Sequence, residues 1–191
     1  MIVLVTGPVR SGKSSFALEL ARESGRHVRY IATCDADPRD PEMADRIARH
    51  RAARAGIPTT ETSETAGPAL VEVLAAGAAG EILIVDSLGT WLAAHVLALE
   101  ALALSDPVAA GRELEARASA LLPALDSVTA DVIVVAEEAG WGVVPPTPLG
   151  RLFRDQLGRT AAAVAGRSGR TYLVVAGFAV DLSAAGRRIS G

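Results

Sequence analysis

Eight consecutive residues, Gly7-Pro8-Val9-Arg10-Ser11-Gly12-Lys13-Ser14, carry the densest chemistry in the chain. Their spacing is G-x-x-x-x-G-K-S, a phosphate-binding P-loop when an apolar strand precedes it and a helix follows. Ile2-Val3-Leu4-Val5 and the helix-like segment from Ser15 to Ala21 supply both. Glycines let successive backbone N–H groups turn toward phosphate oxygens, and the helix adds the positive end of its dipole. In that frame Lys13 places an ammonium on the β/γ-phosphates of a nucleoside triphosphate, and the Ser14 hydroxyl ligates Mg²⁺. Lys13 is the single lysine among 19 basic residues. A compact ammonium is kept where a forked guanidinium would not fit a closed loop.

Three further groups of residues have types and spacing suited to chemistry. Asp86 ends the apolar run Ile82–Val85, the arrangement of a Walker B carboxylate that helps hold Mg²⁺. The alternative is an aspartate that only starts a turn or caps a helix. Asp40-Pro41-Glu42 reads as a helix start, so a helix is expected over about 41–55, with Met43, Ala44, Ile47 and Ala48 as its inner stripe. Arg46, His50 and Arg54 then share one outer face, with Arg49 beside them. That face is either a solvated basic surface or a nucleophile: guanidinium neighbours disfavour a charged imidazole, leaving a lone pair to face an α-phosphate. Finally, Glu137-Glu138-Ala139-Gly140-Trp141-Gly142 is either an ordinary Gly/Pro loop or an acceptor-side wall of the same cleft, the latter because ligands of open parallel sheets sit at the carboxyl ends of the strands. Arg151, Arg154 and Asp155 follow on one side of an amphipathic segment, whereas His95 and Glu100 read as surface or interface residues.

These groups need a scaffold. Apolar runs at Ile2–Val5, Val28–Ala32, Ile82–Val85, Val132–Val135 and Tyr172–Ala176 alternate with longer segments of helical spacing. That pattern predicts an α/β fold with a mostly parallel central sheet flanked by helices. Long helical segments are expected over 88–104 and from Asp106-Pro107 to about Leu125. With no linker or repeat in 191 residues, the chain reads as one domain, 1–191. A net charge of −3 gives no polyanion-binding field, so nucleic acid is not an expected partner. A single cysteine, Cys34, excludes an internal disulfide. No leader precedes the first strand, and the longest apolar stretch, 92–104, is too short and polar to span a bilayer, so a soluble cytoplasmic protein is expected.

Taken in order, these segments resemble the bifunctional adenosylcobinamide kinase/adenosylcobinamide-phosphate guanylyltransferase family of cobalamin biosynthesis. The resemblance covers nearly the whole chain. It rests on Val5-Thr6-Gly7 with Arg10–Ser14, Tyr30-Ile31-Ala32-Thr33, Glu42-Met43-Ala44 with Arg46-Ile47 and His50, and Thr60-Glu61. Later matches are Asp86 with Trp91-Leu92, Glu138–Pro145, and Arg151 with Phe153-Arg154-Asp155 and Gly158. It implies a RecA-like P-loop NTPase fold, a homotrimer and two activities. ATP or GTP, with Mg²⁺, phosphorylates adenosylcobinamide. GTP then gives GMP, through a covalent adduct on His50, to adenosylcobinamide phosphate. The implied nucleotide-binding set is Gly7 to Ser14 with Arg46, Arg49, Arg54, Glu61 and Asp86, and the metal pair is Ser14 and Asp86. The chain departs from the family pattern at Pro8, Glu137, Ala161-Ala162 and Asp181, and it lacks the usual tryptophan before Thr60. Two alternatives stay open: a small-molecule P-loop kinase without the guanylyl step, and a nucleotide-binding protein of the same family that no longer turns over.

Overall fold

The computed structural model describes residues 1–33, 48, 59–64 and 69–189, and for 59–64 it gives the backbone path. Strand β1 (Ile2–Gly7), helix α1 (Lys13–Glu23) and strand β2 (His27–Ala32) come first. Strand β3 (Thr59–Glu64), helix α2 (Ala69–Ala75), strand β4 (Glu81–Asp86) and helices α3 (Leu88–Leu97) and α4 (Glu100–Ser105) follow. Next are α5 (Pro107–Ser119), α6 (Leu121–Ser127), β5 (Asp131–Glu137) and α7 (Pro148–Arg167). Strands β6 (Arg170–Val175) and β7 (Phe178–Asp181) and the short α8 (Leu182–Ala185) complete the described elements.

The strands form one sheet in the order β3-β2-β4-β5-β1-β6-β7. All neighbours pair in parallel except β7, which returns antiparallel on β6. Strands buried on both faces read as continuous apolar runs, which is why the five central ones were visible in the sequence. Alternate residues then separate into two cores. Val3, Val5, Ile84, Val135, Tyr172 and Val174 meet Ala17, Leu18 and Ala21 of α1. On the other face Leu4, Ile31, Val85 and Val134 meet Leu88, Trp91 and Leu92 of α3, Leu114 of α5, Leu121 of α6 and Leu157 of α7. Parallel pairing puts the carboxyl ends of β1 to β6 on one edge. Gly7 stands beside Glu137, Val135 beside Asp86 and Asp86 beside Ala32.

The α/β class is as expected, with three differences in detail. Two strands were missed, β3 and β7, both at the edges. The helix expected from Asp106 to about Leu125 is two helices, because Pro123 has no N–H for the Ser119 carbonyl and its ring crowds that turn. The segment 88–104 likewise divides at Ala98-Leu99, where Leu99 turns into the core. The expected 41–55 helix lies outside the described residues save Ala48, which is helical and exposed and therefore not on an inner stripe. No helix of the described residues is long and apolar enough to cross a membrane.

Candidate functional site

The loop between β1 and α1 is built for close approach. Gly7, at φ 151°, lies against β6 so tightly that a Cβ there would sit 2.1 Å from the Val174 carbonyl oxygen. Arg10 and Gly12 both have left-handed backbones, φ 59° and 102°. Such turns gather N–H groups into a concave anion seat. Helix α1 opens from Gly12 with no capping side-chain hydrogen bond and no acidic residue in its own first turn, so among the described residues its N-terminal N–H groups are left to face the loop. Two neighbours brace the loop. The Gly177 N–H donates to the Ser11 carbonyl (3.0 Å), and the Glu138 N–H donates to the Gly7 carbonyl (2.8 Å). Buried Lys13 donates from Nζ to the Pro8 carbonyl at 2.7 Å, so the proline that removes an N–H supplies an acceptor that holds the ammonium over the loop. The Ser11 hydroxyl is buried with no hydrogen-bond partner among the described residues.

Asp86 sits at the carboxyl end of β4, half-buried, and accepts a hydrogen bond from the Tyr30 hydroxyl. It is not the helix cap. Ser87 caps α3, accepting from the Thr90 N–H in a reciprocal capping box. Thr33 ties this corner to the end of β2: its hydroxyl donates to the Ser87 carbonyl at 2.5 Å and accepts from the Ser87 N–H at 2.8 Å. Its own N–H donates to the Asp86 carbonyl. On the other side, Glu137 Oε2 accepts from the Gly89 N–H at 3.0 Å. With the capping left to Ser87, the Asp86 carboxylate keeps its place at the phosphate-side edge of the sheet.

Ser14 and Asp86 are hard oxygen donors of the kind Mg²⁺ takes. Among the described residues, no group of three or more His, Cys, Asp or Glu side chains could hold a metal by itself. A cation held by this pair would complete its shell with phosphate oxygens and water.

Not every expected site residue meets this corner. His50, Arg46, Arg49 and Arg54 lie outside the described residues, as does Cys34. Glu61 is on β3, four strand spacings from β1, or roughly 19 Å across the sheet. Arg154 pairs with Asp155 at 3.0 Å, whereas Arg151 turns to the Pro145 and Pro146 carbonyls. Arg151, Asp155, Gln156 and Arg159 line a groove of about 390 Å³ between α5 and α7. Trp141, Val143 and Val144 are exposed beyond the end of β5. His95 is a correction: it is buried against Trp91, with ring centroids 4.7 Å apart, and is not a surface residue. No site role was read from sequence for Thr33, Gly89 or the Gly177 turn; only their position just past strand ends would have suggested one. Two departures have local explanations. Asp181 caps α8, accepting from the Ser183 and Ala184 N–H groups, and Ala161 packs on the larger core.

A strand–loop–helix phosphate seat beside a strand-end aspartate defines a P-loop NTPase fold with a nucleotide-binding site. Comparison with known proteins narrows this. Residues 3–182 match the family model described as cobinamide kinase / cobinamide phosphate guanyltransferase. The bifunctional adenosylcobalamin biosynthesis protein CobP of Pseudomonas aeruginosa is 39% identical over 179 residues, covering 94% of this chain and 95% of that protein. The bifunctional adenosylcobalamin biosynthesis protein CobU of Escherichia coli is 32% identical over 188 residues, 95% and 99% of the two chains. Its counterpart in Salmonella typhimurium is 32% identical over 187 residues with the same coverage. The chain belongs to the cobinamide kinase / cobinamide phosphate guanyltransferase family.

Proposed function

We propose that this chain, as one domain spanning 1–191, phosphorylates adenosylcobinamide and then converts the product to adenosylcobinamide-GDP. The observation that carries the reading is the braced loop Gly7–Ser14, with Lys13 held over it and Asp86 on the same edge, in a chain of this family. In the first step the aminopropanol hydroxyl oxygen bonds to the γ-phosphorus of ATP or GTP, the β–γ bridge breaks, the diphosphate leaves and the hydroxyl proton is released. Such a transfer asks for positioning and charge neutralisation more than for covalent help. Lys13, the loop N–H groups and the start of α1 supply these. Ser14 and Asp86 would hold Mg²⁺, which neutralises phosphate charge when bound.

In the second step a neutral His50 nitrogen attacks the α-phosphorus of GTP and pyrophosphate leaves. The phosphate of adenosylcobinamide phosphate then displaces the histidine and takes the GMP. Attack by an uncharged ring avoids bringing two polyanions together directly. Arg46, Arg49 and Arg54 steady the triphosphate, and Glu61 completes the proposed nucleotide-binding set. We place the enzyme in the cytoplasm as a homotrimer. The exposed Phe178 and Val180 of edge strand β7, with Trp141 and Val143, support the assembly as surface of the kind that association covers.

The kinase half is tested with γ-labelled ATP or GTP, Mg²⁺ and adenosylcobinamide. The wild type is expected to move label to the corrinoid. Lys13→Ala should slow transfer by roughly 10²-fold or more, the usual worth of one preorganised charge at a reacting phosphate. A near-normal rate in that variant would contradict the assigned site.

A further inference from the structure

We propose that Glu137 is a positioning residue for phosphoryl transfer: it locks the Asp86 corner to the strand that borders the phosphate loop. Strand β5 lies between β1 and β4, so its last residue stands between the two halves of the site. Glu137 is the register partner of Gly7, and two residues earlier Val135 is the partner of Asp86. A carboxylate therefore projects from the strand that separates the phosphate seat from the aspartate.

Its contact is specific. Gly89 is the second residue of α3, and its N–H is one of the donors that a helix start leaves without an intrahelical partner. Ser87 satisfies the N–H of Thr90, and Glu137, from another strand, satisfies that of Gly89 at 3.0 Å. A negative charge at this point also opposes the positive end of the helix dipole. With Thr33 holding Ser87 from β2, the turn after Asp86 is tied to the strands on both sides of β4. Gly89 is what admits the carboxylate. A Cβ there would lie 2.1 Å from Glu137 Oε2 and 2.9 Å from its Cδ. An added methyl would therefore push away the movable end of a side chain and leave backbone untouched.

The inference rests on reading Asp86 as the cation's carboxylate, and the experiment separates the two. Mn²⁺ binding to the protein–nucleotide complex is followed by electron paramagnetic resonance, alongside kcat and KM for adenosylcobinamide phosphorylation and a thermal melt. Glu137→Ala and Gly89→Ala are each expected to raise the Mn²⁺ half-saturation and lower kcat by roughly tenfold, the worth of one hydrogen bond to a charged group. KM for the corrinoid should stay within about twofold, since the change is made to the transfer step and not to acceptor binding. Glu137→Gln keeps an acceptor for the Gly89 N–H but not its charge, and should fall between wild type and Glu137→Ala. The double variant should be no worse than either single one, because both remove the same contact. If Glu137→Ala fails to fold, Gly89→Ala carries the test. Variants that lower only the melting temperature, or whose effects add, overturn the proposal. Asp86→Asn serves as the control. If it weakens Mn²⁺ binding while Gly89→Ala does not, the proposal alone falls; if it leaves Mn²⁺ binding unchanged, both readings fall.

Discussion

A neutral imidazole enclosed by apolar side chains makes the fold sensitive to acid. His95 is 6% exposed, its Nε2 has no hydrogen-bond partner among the described residues, and it rests edge-on against Trp91. Burial first, and the Arg117 charge second, hold its pKa below the ordinary 6.5. Above that value His95 is neutral folded and unfolded, and the stability is fully present. As the pH falls through 6.5, the unfolded chain takes up a proton that the folded chain refuses. Stability then drops by up to about 1.4 kcal/mol per pH unit until the folded group also titrates. Thermal melts at pH 7.5 and 5.5 should show a larger loss in wild type than in His95→Leu. Equal losses would contradict the buried, uncharged assignment. Sequence alone read His95 as a surface or interface residue; its aromatic neighbour four residues earlier was the missed signal.

The phosphate loop illustrates how elements, more than single side chains, hold the site. Its rim is fixed by β6 on one side and the end of β5 on the other, so it has little freedom to give way. Gly7→Ala would drive a methyl into the Val174 carbonyl at 2.1 Å, a clash with backbone that no rotamer relieves. Gly25→Ala is the control: φ is 65° and nothing lies within 4 Å of the new methyl, so about 1–2 kcal/mol of backbone strain is the whole cost. Denaturant melts should show a greater loss for Gly7→Ala, together with loss of nucleotide binding. A loss no larger than that of Gly25→Ala would mean that β1 and β6 yield easily. This tight contact was invisible in the sequence, because the 7/12 glycine spacing announces a loop without saying which strand presses on it. The central strands were readable from Ile82–Val85 and Val132–Val135, whose burial on both faces demands unbroken apolar runs. Thr59–Glu64 has no apolar residue, and Phe178–Asp181 is only four residues long, so neither edge strand left a periodic signal. Lys13, Ser14 and Asp86 could be singled out as candidates because each belongs to a motif with a fixed place relative to a strand. Glu137 and Thr33 gain their meaning from strand order, which one-dimensional spacing does not encode.

At the scale of the whole molecule, a homotrimer and a two-step transferase are what we propose. Sedimentation equilibrium should give three times the 19.7 kDa chain mass, and a monomer at micromolar concentration would contradict the trimer. Nucleotide with Mg²⁺ should stabilise the wild type by mass action, about 2.7 kcal/mol at a hundredfold excess over Kd, and should do much less for Lys13→Ala. The two halves of the site, however, are joined only if the nucleotide seated on Lys13's loop, or its counterpart, also meets His50. The direct measurement is to incubate the protein with α-labelled GTP and Mg²⁺, then quench and separate protein from nucleotide. Label is expected on the wild-type chain, stable to base, lost in acid and absent from His50→Ala. Label that persists in His50→Ala, or an unlabelled wild type that still makes adenosylcobinamide-GDP, would contradict a covalent step on His50.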